Sequence, residues 1–474
     1  MEANKIESDS LIFDDVDILF MYSFDFGHSI DSQKIINMLK LSDEPLAQFN
    51  HNDPKKNFDE RNKFIKDMSF LDKTYISEED VFLNKYSRIV FNKYNYSNKK
   101  IKTNLIIFGT LYDLGIGILT VWVPLRGKYN IYEIIDIVNL GLPPFPYSVV
   151  KKIPIKAYQD YKNINFKRID YIGYTFIQQI LEKEKQIGLK RNEDIPVYSK
   201  IDCYPYITIR GYNENTPIDK FGEKYRNELW GILSGDMTFS TLRKETMNSY
   251  LNNVAIFNDR LALPSEDGTI YVFGYEAEQV YKKTISAQSK NMPSINNFQD
   301  FIQYRMLAYY LFTEFYRFEV FNLKVLSWKL SIFLDTKLPN SSMDEIIKYY
   351  YLFSKNLEHY YNFGDYLLIY LPTWNRQVWK SLREKEVSDS YNHLIEGLKI
   401  INTTVQLSNS IKNQSYAIIV SILLVLLNII STCELTYWIK VLLAIFSTVL
   451  TCSVVWLLLN WYFRKKLKNL IIIK

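Results

Sequence analysis

YAIIVSILLVLLNIIST, Tyr416 to Thr432, and IKVLLAIFSTVLTCSVVWLLL, Ile439 to Leu459, are the two stretches on which the reading of this chain turns. The first is just long enough to cross a bilayer core of about 30 Å and the second comfortably so. Tyr437 and Trp438 stand at one end of the second stretch and Trp461 and Tyr462 at the other, as an aromatic belt would. The connection Cys433–Trp438 is short and carries Glu434 but no cation. Lys399 and Lys412 precede the first stretch; Arg464, Lys465, Lys466 and Lys468 follow the second. The sequence therefore predicts a hairpin of two transmembrane helices in the inner (plasma) membrane, multi-pass, with both termini cytoplasmic.

Upstream, Pro372 and Thr373 open a helix with no Gly-Pro break before the first apolar stretch, and Gly397 is its one interior weak point. Run to Thr432, it would be about 90 Å long at 1.5 Å per residue. Leu394, Leu398, Ile401 and Val405 alternate spacings of four and three, and Ser408 and Lys412 continue the row. That is a coiled-coil seam turning polar, facing either a water-filled axis between copies or the rest of its own subunit.

Gln414, Ser421 and Asn428 recur every seven residues and share a helical face with the polar end at Thr432. Two helices cannot enclose a pore alone, so a conducting assembly needs several copies about an axis. In that case Gln414, Ser421, Asn428 and Thr432 line it, with Glu434 as a carboxylate ring at its mouth. Otherwise the same hydroxyls and amides hydrogen-bond neighbouring helices, and the hairpin is an anchor.

Before this helix the chain mixes strand-like and helical runs. Strands are expected at Asp17–Phe24, Asn104–Phe108, Ile116–Val123, Tyr206–Arg210, Val254–Phe257 and Thr269–Phe273, with helices at Tyr174–Ile187 and Thr241–Leu251. Ser286–Asn297 reads as a linker, followed by a long helix from about Phe298 to Leu334 and another from the capping box at Ser342. The expected organisation is a cytoplasmic α/β domain over 1–290, a helical pair over 291–372 and a stalk helix over 373–415. A pore-lining transmembrane helix over 416–432, an outer loop over 433–438, a second transmembrane helix over 439–461 and a basic cytoplasmic tail over 462–474 complete it.

Catalytic chemistry has little to stand on. A net charge of +5 gives no case for direct nucleic-acid binding, and Cys203, Cys433 and Cys452 form no CxxC pair. His28, His51, His359 and His393 have no zinc-site spacing, and Gly115-Ile-Gly117 reads as a tight hairpin rather than a phosphate loop. Asp14, Asp15 and Asp17 are candidates for a regulatory divalent ion, or a solvated turn. Arg210, at a strand end in YITIRGY (Tyr206 to Tyr212), is a candidate to hold a phosphate, or a surface ion pair. No nucleophile or acid/base constellation is visible, so no enzyme is expected.

The basic tail WYFRKKLKNL, Trp461 to Leu470, resembles the C-terminal signature of the CorA magnesium-transporter family. Setting Glu434-Leu435 on that family's outer Glu-Leu places Asn428 on the Asn of its Gly-Met-Asn motif, while Leu426 and Leu427 stand where Gly and Met belong. The resemblance implies a homopentamer with the first helices around a pore, a stalk that gates it, and Mg²⁺ or another divalent cation as conducted or regulatory ion. The long N-terminal part and the incomplete motif resemble the divergent CorA-like effectors of type III CRISPR systems. That implies an antiviral cation channel gated by a nucleotide messenger, SAM-AMP, bound to the cytoplasmic domain. The alternatives are a magnesium transporter gated by the metal itself, and a membrane-anchored enzyme or binding domain.

Overall fold

The computed structural model describes residues 11–41, 86–91, 94–98, 101–143, 168–187, 197–214, 216–243, 247, 251–255, 258–274, 276–288, 298–338, 341, 345–351, 353–354, 373–432, 439, 441–446, 449–450 and 453. Its centre is a sheet of eight strands. In chain order these are β1 (Ile12–Asp25), β2 (Tyr86–Val90), β3 (Tyr94–Ser97), β4 (Lys102–Tyr112), β5 (Ile116–Asn130), β6 (Asp202–Tyr212), β7 (Arg260–Pro264) and β8 (Thr269–Phe273). The helices of this region are α1 (Ser32–Leu41), α2 (Ile131–Gly141), α3 (Ile169–Ile187), α4 (Ile218–Lys224), α5 (Arg226–Ser234), α6 (Glu276–Gln288) and α7 (Phe298–Ile332).

The strand order is β2-β4-β5-β1-β6-β8-β7, with β3 also pairing β4. Every pairing is antiparallel except β6 with β8, so the sheet is mixed. β1 lies at its middle, buried from Val16 to Asp25, which is why its sequence DILFMYSF is nearly continuous in apolar residues. β4 turns into β5 at Gly115, whose φ of 92° and close approach to the His28 carbonyl exclude a side chain. β5 runs straight into α2 through a capping box formed by Asn130 and Glu133.

The two sheet faces differ in chemistry. One carries Ile18, Phe20, Tyr22, Leu119, Val121, Ile207, Ile209, Ile270 and Val272, which join the buried residues of α1 to α5 in one apolar core. The other carries Asp17, Thr110, Thr120, Trp122, Tyr204, Tyr206, Thr208 and Tyr271, and α7 lies on it through Tyr309, Tyr310 and Glu314. α7 is buried nearly all round, including Thr313, Glu314, Arg317 and Glu319, so its sequence shows no one-sided apolar stripe.

The chain divides into two compact units, Met1–Val325 with Tyr361–Ser388, and Leu326–Tyr360 with Asp389–Lys474. In the second unit, α7 ends in a π-helical turn at Phe333–Lys337, and Phe333 packs with Tyr349 and Phe353. α8 (Thr373–Thr432) is one helix of 60 residues, as expected. Leu394, Gly397, Ile401 and Thr404 form its buried face, and a Cβ at Gly397 would meet Leu330 at 2.5 Å.

The strands expected at residues 17, 104, 116, 206 and 269 onward are all present, most of them longer than expected. Val254 and Ala255 are not in a strand, and Ile256 and Phe257 lie outside the described residues. Thr241 ends a 3₁₀ turn rather than opening a helix, and most of the segment to Leu251 is outside the described residues. The first three residues of the expected linker, Ser286 to Gln288, are the end of α6; the remainder of it and Ser342 are outside the described residues.

The C-terminal expectation is corrected. Among the described residues, no helix is long and apolar enough to cross a membrane. α8 is long, but its apolar part, Tyr416–Thr432, spans only about 26 Å at 1.5 Å per residue against a hydrocarbon core of about 30 Å. Ser421 and Asn428, both exposed, interrupt that part. Of the second stretch, only residues 439, 441–446, 449–450 and 453 are described, as helical pieces. Among the described residues the fold is thus an α/β domain of mixed sheet and helices followed by a long helix, with no helix long and apolar enough to cross a membrane. With the spans go the descriptions built on them: membrane protein, ion channel, ion transport and multi-pass inner-membrane location with both termini cytoplasmic. The loop with Glu434 and the tail Trp461–Leu470 lie outside the described residues.

Candidate charge cluster on the central strands

The sequence candidates Asp15, Asp17 and Arg210 meet in one cluster. A bulge in β1 between Phe13 and Asp15 turns Asp14 outward, leaving Asp15 and Asp17 on the face that α7 covers. Asp14 then lies over Gly211, where a Cβ would collide with its carboxylate, so β6 needs glycine beside the bulge. β5 and β6 flank β1 and each brings one arginine. Arg126 Nη1 is 3.1 Å from Asp15 Oδ1 and its Nη2 is 2.9 Å from Asp17 Oδ1. Arg210 Nη2 is 2.8 Å from Asp15 Oδ1 and also pairs with Asp17. Trp122 Nε1 donates to Asp17 Oδ1 at 2.8 Å.

Two carboxylates and two guanidiniums balance, which makes full burial of Asp17 tolerable. The cluster is graded: Arg210 is 5% exposed and Asp17 0%, whereas Arg126 is 45% and Asp15 18% exposed. The solvent side of the cluster is therefore Arg126 and Asp15. Arg210 is neither a free phosphate binder nor on the surface, and Asp15 and Asp17 are taken by arginines. Among the described residues, no group of three or more His, Cys, Asp or Glu side chains is placed to hold a metal ion.

Sequence reasoning missed the rest of this polar layer. Glu314 on α7 is fully buried and receives Arg88 Nη1 at 3.0 and 2.9 Å, while the same nitrogen donates to Thr110 at 2.7 Å. Arg317 and Lys324, one face of α7 seven residues apart, reach Asp202 at 2.6 and 3.1 Å. Burial alone would raise the Asp202 carboxyl, but Arg317 and Lys324 hold it below the usual carboxylate range. Arg260 pairs with Asp259 at 2.6 Å and donates to Tyr309 at 3.2 Å. Thr120 and Tyr310 share a hydrogen bond of 2.8 Å, and Tyr206 donates to the Met306 carbonyl at 3.0 Å. Burial pushes the phenols of Tyr112, Tyr206, Tyr271 and Tyr310 well above their ordinary range, so they stay neutral. Strand alternation could have flagged Asp17, Trp122, Thr208 and Arg210 as one polar face.

The other candidates are scattered. His28 lies 2.9 Å from Glu184 and His393 2.9 Å from Ser327; His51 and His359 are outside the described residues. On α8, Leu394 and Ile401 are buried and Leu398 and Val405 partly so, while Ser408, Lys412 and Thr432 have side chains outside the described residues. Gln414, Ser421 and Asn428 are exposed, and the Ser421 hydroxyl donates to the Ala417 carbonyl one turn back at 2.8 Å. Comparison with family models, with curated proteins and with solved structures finds no match to this chain.

Proposed function

We propose that this chain is a non-catalytic binding protein whose sheet domain takes an anionic ligand, a nucleotide, at the Asp15–Arg126 side of the central charge cluster. One observation carries the reading: Arg126 and Arg210, from the two strands flanking β1, converge on Asp15, the carboxylate of the pair that reaches solvent. Guanidinium groups bind carboxylate and phosphate with the same forked geometry. A phosphate can take the place of Asp15 on Arg126, while Asp17 stays on Arg210 and Trp122. Both carboxylates face guanidiniums rather than a nucleophile or a water-holding pair, which favours binding over catalysis.

The second half of the proposal is self-association. Among the described residues, twelve of the fifteen exposed large apolar side chains lie between Tyr416 and Leu450. Burying such side chains against a second copy removes apolar surface from water, which favours association. The seven-residue spacing of Gln414, Ser421 and Asn428 would fix the register of parallel copies, as a polar core position does in coiled coils.

The test is titration calorimetry of the full chain with SAM-AMP, ATP and ADP, alongside sedimentation velocity. Saturable binding that Arg126→Ala weakens at least tenfold, by a protein that sediments as an oligomer, is the expected result. No saturable binding of any of the three, or identical affinity in Arg126→Ala, overturns the ligand reading. A monomer at every concentration, or an oligomer indifferent to Leu424→Glu, overturns the assembly reading.

A further inference from the structure

Arg126 is not an idle cation. It already holds Asp15 at 3.1 Å and Asp17 at 2.9 Å. A single phosphate that displaces Asp15 trades one charge-assisted contact for another of the same kind, and the displaced carboxylate keeps only Arg210. Such a trade yields little net free energy, because a protein–anion contact is lost for each one made. Net affinity needs a second cation, one that loses nothing when the ligand arrives.

Lys128 meets that requirement. It is exposed and, among the described residues, has neither a hydrogen bond nor an ion pair. It also stands on the right side of β5. Leu125 and Tyr129 pack with the apolar core, so strand alternation puts Arg126 and Lys128 together on the other face. Two residues of strand separate their Cα atoms by about 7 Å, a gap that two such long side chains close easily. Gly127 between them is exposed, with φ 147°, and a Cβ there would meet nothing nearer than the Tyr129 ring at 3.6 Å. A ligand laid from Arg126 to Lys128 therefore passes over bare backbone. The exposed carboxylate of Asp14 lies over Gly211, on the β6 side of β1 and away from β5.

We infer that the ligand carries two anionic groups in a row, a nucleoside diphosphate or triphosphate rather than a monophosphate, with Arg126 taking one phosphate and Lys128 the next. This rests on the anion site proposed above and names the class of ligand that the site selects.

The experiment is titration calorimetry of the full chain with AMP, ADP and ATP, in the presence of a chelator and at one low ionic strength, so that neither metal ions nor salt mask the phosphates. In the wild type, ADP and ATP should bind about threefold or more tightly than AMP, the size of an exposed ion pair. Lys128→Ala should bring ADP and ATP down to the affinity of AMP and leave AMP unchanged, and Lys128→Arg should restore the preference. Lys185→Ala removes the same charge from α3, on the opposite sheet face, and should change none of the three affinities. Equal affinity for AMP and ADP in the wild type overturns the inference. So does a loss in Lys128→Ala that AMP shares equally, or a loss as large in Lys185→Ala. Those outcomes leave the anion site standing so long as Arg126→Ala weakens all three nucleotides. Absence of binding by any of them, or indifference to Arg126→Ala, overturns the site and this ligand class with it.

Discussion

Arg88 on β2 and Glu314 on α7 sit 2.9 Å apart across 226 residues of sequence, with Glu314 fully buried and Arg88 16% exposed. A buried ion pair contributes little net stability relative to apolar residues of the same size, yet removing one member strands the other charge. Glu314→Ala should therefore cost about 3–5 kcal/mol, and Glu314→Ala with Arg88→Met distinctly less. Urea unfolding at unchanged slope measures both, and equal losses in the single and double variants would contradict a stranded charge.

The central cluster makes a graded prediction. Trp122→Phe deletes a donor to fully buried Asp17 and should destabilise by about 1–3 kcal/mol. Arg126→Gln acts on a half-exposed member and should cost no more than about 1 kcal/mol. Reversal of that order in thermal or urea unfolding would show that burial does not rank the cluster.

Two glycines with positive φ separate backbone strain from steric collision. Gly115 has φ 92° and a Cβ there would lie 2.1 Å from the His28 carbonyl oxygen. Gly127 has φ 147° and a Cβ there would meet only the Tyr129 ring, at 3.6 Å. Both alanine variants carry the strain of an unfavourable conformation, of order 1–3 kcal/mol, and Gly115→Ala carries the collision in addition. Melting temperatures should fall further for Gly115→Ala; equal falls would mean that the hairpin yields freely.

Asp202 sets an acid dependence. Its carboxyl is held below the ordinary range because Arg317 and Lys324 outweigh the effect of burial. A depressed folded-state value means the unfolded chain takes up the proton first. The stabilisation is thus complete above the unfolded value near 4 and is lost as pH falls through the folded one. The stability difference between the wild type and Asp202→Asn should be flat from about pH 7 to 5 and shrink below about pH 4. A difference that grows on acidification would reverse the sign of the assignment.

Legibility in the sequence followed the range of the interactions. The core runs of β1, β4, β5, β6 and β8 were legible because burial on both faces leaves a continuous apolar signature. Gly115 was legible as a turn, and α8 as one helix to Thr432, because neither requires a distant partner. The membrane assignment went too far for the first stretch because an apolar run gives composition, whereas a span also needs length. Arg210 and the aspartates were read separately, Arg210 as a candidate phosphate holder or a surface ion pair and the aspartates as a candidate divalent-ion site or a solvated turn. Nothing local says that β6 and β1, nearly two hundred residues apart, lie side by side.

What the sequence determined by itself is local: where strands and helices form, where glycine must turn the chain, and that residues 416–432 are apolar with a polar residue every seventh position. Periodicity and conformational preference act within a few residues, so one sequence is enough to show them. What only the tertiary structure decided is which charges meet. The pairing of β1 with β5 and β6 turned two aspartates and two arginines into a neutral cluster, and the seating of α7 buried Glu314 beneath Arg88. A charge in a strand or a helix has the same sequence signature whether it faces water or an opposite charge. The difference is solvation, and solvation is settled only when distant segments pack.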